Sequence, residues 1–149
     1  MTKDKIESGR VGRLVQAEPK RCFHNAVRVV RSVPGYEEAD YVEGVIVSVK
    51  ELVTEHGWVE INGVIVDPTL PADDLLYYPG LRFKGRHGIW EAMQIPKPSD
   101  VDDLPILERF GEGGSDSPEF EDAWFAAYGP LGLDEFAAEM AAAYADEGR

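Results

Sequence analysis

A histidine and an aspartate with the spacing of a catalytic pair lie on the two strands of a predicted β-hairpin. Asn62-Gly63 stands between two runs rich in β-branched residues, which is typical of a type I′ turn. In the register set by this turn, His56 lies diagonally across from Asp67 on one face. An imidazole and a carboxylate at that spacing can form the base and its orienting partner in a catalytic triad. Because the hairpin ties the two together, we favour a functional pair over a chance His and Asp.

The two faces of the predicted hairpin differ in character. Side chains alternate along a strand, so one face is wholly apolar and is expected to pack in the core. The apolar face consists of Val59, Ile61, Val64 and Val66. The other face carries His56, Trp58, Glu60, Ile65 and Asp67. The residues that could do chemistry therefore lie together on one side.

Cys22 is the only cysteine and the candidate nucleophile. Glu18-Pro19 is a helix-entry signal, and a helix is predicted from about residue 20 to residue 32. Cys22 would then lie in the first turn, where N–H groups and the positive end of the helix dipole favour an anion. The preceding Lys20 and Arg21 also favour a thiolate. The alternative is a small, buried hydrophobic cysteine.

Gln16 is a candidate donor to an oxyanion hole. It lies six residues before Cys22, and a glutamine amide can stabilise an oxyanion together with the backbone N–H of the nucleophile. A surface glutamine is the alternative interpretation.

Three motifs occur in a characteristic order. Cys22 opens a helix, Tyr41-Val42-Glu43-Gly44 lies in a strand, and His56-Gly57-Trp58-Val59-Glu60-Ile61 is followed by Val66-Asp67-Pro68-Thr69. This order resembles the transglutaminase-like superfamily of papain-type thiol enzymes. That family places Cys on a helix and then His and Asp on adjacent antiparallel strands, with a His-x-Trp-Val-Glu pattern and a closing Asp-Pro-Thr.

The resemblance covers about residues 16–70 and implies Cys22, His56 and Asp67 as catalytic residues. Trp58 would support them, and Gln16 has a spacing similar to that of the oxyanion glutamine of papain-type proteases. There are two departures. Arg21-Cys22-Phe23 stands where the family often has Gln-Cys-Trp, and the interval from His to Asp is short.

The implied activity is amide or acyl chemistry through a thioester on cysteine, on a peptide, protein or small amide or ester. Hydrolysis, deamidation, transamidation and acyl transfer all remain open. A non-catalytic protein-binding module on the same fold is the competing hypothesis. We expect no cofactor and no metal, because the three histidines and one cysteine show no ligand spacing.

Composition limits the class of protein. The chain has 149 residues, 44% of them hydrophobic, and a net charge of −13, so we expect one globular domain that binds no nucleic acid. No apolar run approaches a membrane span, and the N-terminus lacks the apolar stretch of a secretory signal. A single cysteine suits a reducing, cytoplasmic location. The oligomeric state stays open.

These motifs predict an α+β fold with a papain- or transglutaminase-like core. The Cys-bearing N-terminal helix would pack on an antiparallel meander that includes a strand at 41–49, with Gly44 marking a bulge or a close approach. Residues 1–10 are expected to be a polar arm, and residues 16–70 the catalytic-type core. Residues 71–149 should add strands and C-terminal helices. There we predict a helical turn at 73–78 with a break at Pro79-Gly80, a strand at 89–95, and helices at 117–128 and 134–145.

Overall fold

The computed structural model describes residues 1–50, 52–93 and 118–129, and these form an α+β fold. A five-stranded sheet has the strand order β1-β4-β3-β2-β5. The strands are β1 (Thr2–Lys3), β2 (Asp40–Val47), β3 (Val53–Ile61), β4 (Val64–Val66) and β5 (Leu76–Lys84). The helices are α1 (Lys5–Leu14), α2 (Cys22–Ser32), α3 (Gly85–Ala92) and α4 (Pro118–Tyr128). Antiparallel pairs join β2, β3, β4 and β5, while β1 runs parallel to β4.

The predicted hairpin is confirmed in turn and in register. Ile61 lies opposite Val64, and Val59 lies opposite Val66. Asn62 and Gly63 both have positive φ values, 52° and 75°, as the two central residues of a type I′ turn require. A slip of one residue would have moved every side chain to the opposite face, so this register fixes which residues share the side of His56.

The apolar face of the hairpin lies under α1 and α2. Its core contains Val59 and Val66 from the hairpin, Val29 and Val30 from α2, and Val11 from α1, all of them buried. The opposite face is covered by a separate cluster. That cluster consists of Val42, Ile46, Trp58 and Ile65, with Leu70, Leu75 and Tyr77 packed against them.

The helix predicted to carry the cysteine is confirmed, but it begins two residues later than expected. Lys20 adopts the left-handed conformation with φ 62°, and Arg21 is the residue that precedes the helix. α2 therefore starts at Cys22 itself. Its buried side includes Phe23, Ala26 and Val30, which follow helical spacing.

The expectation of a polar arm at residues 1–10 is wrong. Lys3 pairs in parallel with β4, and α1 follows directly after it. The Asp4 side chain accepts a hydrogen bond from the Glu7 N–H at 2.9 Å and so caps the helix. The buried residues Ser8, Val11 and Gly12 repeat at helical spacing. Because two of these three are small or polar, the stripe does not stand out as apolar in the sequence.

Two predictions after residue 71 are also wrong. The helical turn at 73–78 and the break at Pro79-Gly80 are replaced by β5, which runs through both. Pro79 is tolerated because β5 is an edge strand and its register shifts there, opposite Glu43 and Gly44. Gly44 is expected to mark a bulge or a close approach, and both are found: the register shifts beside it, and a Cβ there would lie 2.9 Å from the Gly80 nitrogen. Residues 89–92 of the strand predicted at 89–95 belong instead to helix α3, which buries Ile89 and leaves Trp90 exposed.

The helix predicted at 117–128 is confirmed as α4. The helix expected at 134–145 lies outside the described residues. Within the described ranges, no helix has the length and hydrophobicity needed to cross a membrane.

Candidate active site

His56 and Asp67 form a buried hydrogen-bonded pair at the open end of the hairpin. Nε2 of His56 lies 2.8 Å from Oδ2 of Asp67. The exposed fraction is 3% for His56 and zero for Asp67. Asp67 directly follows β4, and His56 lies diagonally across from it on β3, as the turn geometry predicts.

The carboxylate of Asp67 accepts four hydrogen bonds, two at each oxygen. Oδ2 receives His56 and the hydroxyl of Tyr77, which donates at 2.8 Å. Oδ1 receives the backbone N–H groups of Thr69 and Leu70 at 3.0 and 3.1 Å. With both oxygens engaged, the plane of the carboxylate is fixed.

These contacts keep Asp67 ionised. Burial by itself raises the pKa of a carboxyl group, but the charge and hydrogen bond of His56, the Leu70 N–H and the Tyr77 hydroxyl outweigh it. The pKa of Asp67 is therefore lowered. Since an ionised carboxylate only accepts hydrogen bonds, Nε2 of His56 must carry the hydrogen. Nδ1 is then the nitrogen that can act as a base.

Helix α1, which was not predicted from the sequence, contacts the backbone of Asp67. The Asp67 backbone N–H donates to the Ser8 hydroxyl at 2.9 Å, and that hydroxyl donates to the Asp4 carbonyl at 2.6 Å. A side chain on Gly12 would come within 2.8 Å of the Pro68 carbonyl oxygen. The helix therefore packs directly on the backbone of the Asp-Pro corner.

Cys22 is half-buried at the first position of α2, and this turn packs against β3. A Cβ atom placed on Gly57, the residue after His56, would lie 3.1 Å from Cα of Phe23 and 3.5 Å from the carbonyl oxygen of Cys22. Only glycine leaves room for the helix to approach the strand this closely. The backbone of Cys22 is thereby brought beside the histidine-bearing strand.

Asn25 joins the start of α2 to the loop that follows Asp67. It is fully buried, and its amide nitrogen donates to the Thr69 hydroxyl at 2.9 Å and to the Glu18 carbonyl at 2.8 Å. Its amide oxygen accepts the Glu18 N–H at 3.1 Å. One of these three hydrogen bonds joins the start of α2 to the Asp67 loop, and the other two hold Asn25 against the segment that precedes the helix.

Trp58, predicted as a supporting residue, fills the space next to the pair. It is fully buried, with its ring 6.3 Å from that of His56 and edge-on to Tyr77 at 5.0 Å. Its Nε1–H donates to Glu60 at 3.0 Å, and Glu60 is also paired with Arg82. The indole thus shields one side of His56 from water, and its only polar atom is bonded.

Gln16, predicted as an oxyanion donor, lies in the turn after α1. Its φ is 53° and it is exposed. The oxyanion role of Gln16 stays a prediction. Among the described residues, no cluster of three or more His, Cys, Asp or Glu side chains could hold a metal ion.

No protein-family model, no curated protein and no solved structure matches this chain.

Proposed function

We propose that this protein is a transglutaminase-like thiol enzyme in which Cys22, His56 and Asp67 form a catalytic triad for amide or acyl chemistry. The observation that carries the proposal is the buried 2.8 Å bond between Nε2 of His56 and Oδ2 of Asp67. It occurs on a strand against which the first turn of the cysteine-bearing helix packs. A base, its orienting group and a thiol are the parts of such a triad, and the backbone of Cys22 packs on the strand that carries His56.

The order of elements supports a papain- or transglutaminase-like core. α2 with its cysteine precedes β2, β3 and β4, three consecutive antiparallel strands. His56 lies on the second of these strands and Asp67 directly follows the third. The superfamily that the motifs resemble has the same sequence of helix, His strand and Asp strand.

The sheet edge at His56 favours approach of the thiol. β4 pairs with β3 only at residues 59–61, so β4 does not cover the backbone edge of β3 at His56. The loop after Asp67 and the first turn of α2 meet on this side, joined by the Asn25–Thr69 hydrogen bond of 2.9 Å.

The reaction then proceeds in two steps. Nδ1 of His56 takes the proton of the Cys22 thiol, and the thiolate attacks the substrate carbonyl carbon. The bond from carbon to the leaving amine or alcohol breaks, and the imidazolium returns its proton to that leaving group. Water or an amine, deprotonated by His56, next attacks the thioester and releases the Cys22 sulfur. Asp67 holds the imidazole tautomer and stabilises its positive charge throughout.

The backbone N–H of Cys22 is the first oxyanion donor, because it lies at the positive end of the α2 dipole. Gln16 would have to turn inward from its exposed position to supply a second donor.

The substrate class is a peptide, protein or small amide or ester. The net charge of −13 disfavours nucleic acid. A reducing location such as the cytoplasm would keep the thiol active, and this chemistry requires no cofactor.

Thiol reactivity tests the proposal directly, since Cys22 is the only cysteine and any thiol alkylation by iodoacetamide therefore occurs there. We expect alkylation, followed by intact mass, to stay fast well below pH 8 and to slow in His56→Ala. His87→Ala is the matched control, because His87 is exposed on α3 and paired with Glu91. This control should react like the wild type.

An alkylation profile like that of an unperturbed thiol, with a pKa of about 8.5, would refute the triad and favour the non-catalytic binding module. With the triad supported, candidate amides can be screened by mass spectrometry. Ammonia loss, cleavage and cross-linking give different mass changes, so the screen separates deamidation, hydrolysis and transamidation.

A further inference from the structure

Tyr77 reaches the His–Asp pair from the strand at the opposite edge of the sheet. It lies on β5, which β2 and β3 separate from β4. Tyr77 is opposite Ile46, and His56 is opposite Gly44, two residues earlier on the same strand β2. Both side chains therefore lie on one face of the sheet. The Tyr77 hydroxyl donates to Oδ2 of Asp67 at 2.8 Å, the same oxygen that His56 contacts.

Two neighbours hold the phenol ring in place. Trp58 packs edge-on against it, with ring centroids 5.0 Å apart. The ammonium of Lys3 lies 5.4 Å from the ring centroid and also donates to the Leu70 carbonyl at 2.8 Å. Because Leu70 follows Asp67 in the same loop, Lys3 ties the ring and that loop together. The hydroxyl therefore cannot leave Oδ2 without disturbing contacts on both sides of the ring.

We propose that Tyr77 is a positioning residue that holds Oδ2 of Asp67 toward His56 and limits how strongly this oxygen accepts the His56 hydrogen. Tyr77 acts through Asp67 and does not touch the substrate. The effect on thiol reactivity rests on the proposed function, whereas the effect on the His–Asp bond does not.

A tyrosine that only filled the core would act through its ring alone. Tyr77→Phe keeps the ring with its contacts to Trp58 and Lys3, and it removes the hydroxyl. Tyr78→Phe is the matched control, because Tyr78 is the next residue of β5 and packs into the separate cluster of Val45 and Phe120. The two variants lose the same atom on opposite faces of one strand.

The Nε2–H proton of His56, observed by ¹H–¹⁵N NMR, reports the bond to Asp67. Without the Tyr77 hydroxyl, Oδ2 keeps more of its negative charge and becomes a stronger acceptor. The proton signal should therefore move downfield in Tyr77→Phe and stay in place in Tyr78→Phe. Lys3 and Asp73 are charged neighbours of Tyr77, and neither variant changes them. An unchanged signal in Tyr77→Phe would overturn the proposal.

A second variant strengthens the hydrogen bond from residue 77 to Oδ2 instead of removing it, and it serves if Tyr77→Phe folds poorly. Site-specific 3-fluorotyrosine at position 77 has a more acidic hydroxyl and is a stronger donor, so Oδ2 should become a weaker acceptor. The His56 proton should then move upfield. A shift in the same direction as that of Tyr77→Phe, or no shift, would contradict a role through Oδ2.

Alkylation of Cys22 separates this inference from the proposed function. We expect the rate at pH 4, where the thiolate fraction limits alkylation, to rise about two- to tenfold in Tyr77→Phe, because the stronger acceptor at Oδ2 stabilises the His56 imidazolium that accompanies the thiolate. The rate should not change in Tyr78→Phe. If the NMR signal moves but wild-type Cys22 reacts as an ordinary thiol, the positioning role stands and the enzyme proposal fails. If wild-type Cys22 is activated and the NMR signal stays in place, only the role of Tyr77 fails.

Discussion

Replacing Asp67 by asparagine exchanges one oxygen of a buried carboxylate for an NH₂ group, and the effects of this change on stability and on reactivity can be measured separately. The backbone N–H groups of Thr69 and Leu70 face Oδ1 and cannot reverse their polarity. The amide oxygen of the asparagine will therefore take the Oδ1 position, and its NH₂ group will face His56 and Tyr77.

Tyr77 and His56 can both rearrange their hydrogens to accept a hydrogen bond from this NH₂ group. In His56 the rearrangement places a hydrogen on the nitrogen that would act as the base. The Tyr77 hydroxyl can rotate and accept a hydrogen bond. His56 can accept one at Nε2 only if its hydrogen moves to Nδ1, which leaves no lone pair toward the thiol. The four charge-assisted hydrogen bonds of Asp67 become neutral ones, and the smaller desolvation cost of a neutral amide offsets part of this loss. We therefore expect the free energy of unfolding to fall by about 2–3 kcal/mol.

The alkylation rate should fall as well, for a reason separate from the loss of stability. An ordinary thiol with a pKa of about 8.5 is roughly 0.3% ionised at pH 6. An activated Cys22 that is mostly thiolate should therefore lose on the order of 100-fold in alkylation rate when the base is removed.

Urea unfolding followed by tryptophan fluorescence measures the first effect, and intact-mass alkylation at pH 6 measures the second. Asp74→Asn is the control, because Asp74 is exposed and pairs with Lys5 on the surface; neither quantity should change there. The reasoning is refuted if Asp67→Asn lowers stability as expected and still alkylates within threefold of the wild-type rate.

Two further predictions concern the helix approach and acid stability. Gly57→Ala should force the first turn of α2 outward, because the new Cβ would lie 3.1 Å from Cα of Phe23. We expect a loss of about 1–3 kcal/mol in unfolding free energy and slower alkylation. Gly9→Ala is the control, because its new Cβ meets only the flexible guanidinium of Arg13, and it should preserve the alkylation rate. Equal alkylation rates in the two variants would contradict the prediction. The pKa of Asp67 is lower in the folded protein than the unfolded value of about 3.9, so its contribution to stability is complete above that value and is lost as pH falls through the folded pKa. Urea melts at pH 6 and pH 3 should therefore show a larger loss for the wild type than for Asp67→Asn, and equal losses would disprove the linkage.

The sequence alone predicted the hairpin and its register, because the information is local. Asn62-Gly63 sets the turn, and strict alternation on both sides sets the faces. The position of Asp67 relative to His56 follows from that geometry without any distant contact. The position of Cys22 on a helix is also encoded locally, since Glu18-Pro19 and the apolar spacing of residues 23–30 are short-range signals for α2.

The sequence did not reveal the supports of Asp67, because they come from distant parts of the chain. Ser8 lies 59 residues before Asp67 and contacts its backbone N–H. Its helix was missed because the buried stripe includes a serine and a glycine. Asn25 and Thr69 are 44 residues apart, and no periodicity links them.

β5 shows most clearly what only the tertiary structure decided. Leu76–Lys84 contains Pro79-Gly80, a local signal for a chain break, and yet the segment forms an edge strand whose register shift absorbs the proline. Pairing with β2 outweighs the local preference, and this pairing carries the Tyr77 hydroxyl to Asp67. Local patterning therefore determined the His–Asp pair and the helix position of Cys22, whereas the long-range packing of α1, α2 and β5 determined how firmly the pair is held. Contacts between residues far apart in sequence depend on the whole fold, and no short window of residues encodes them.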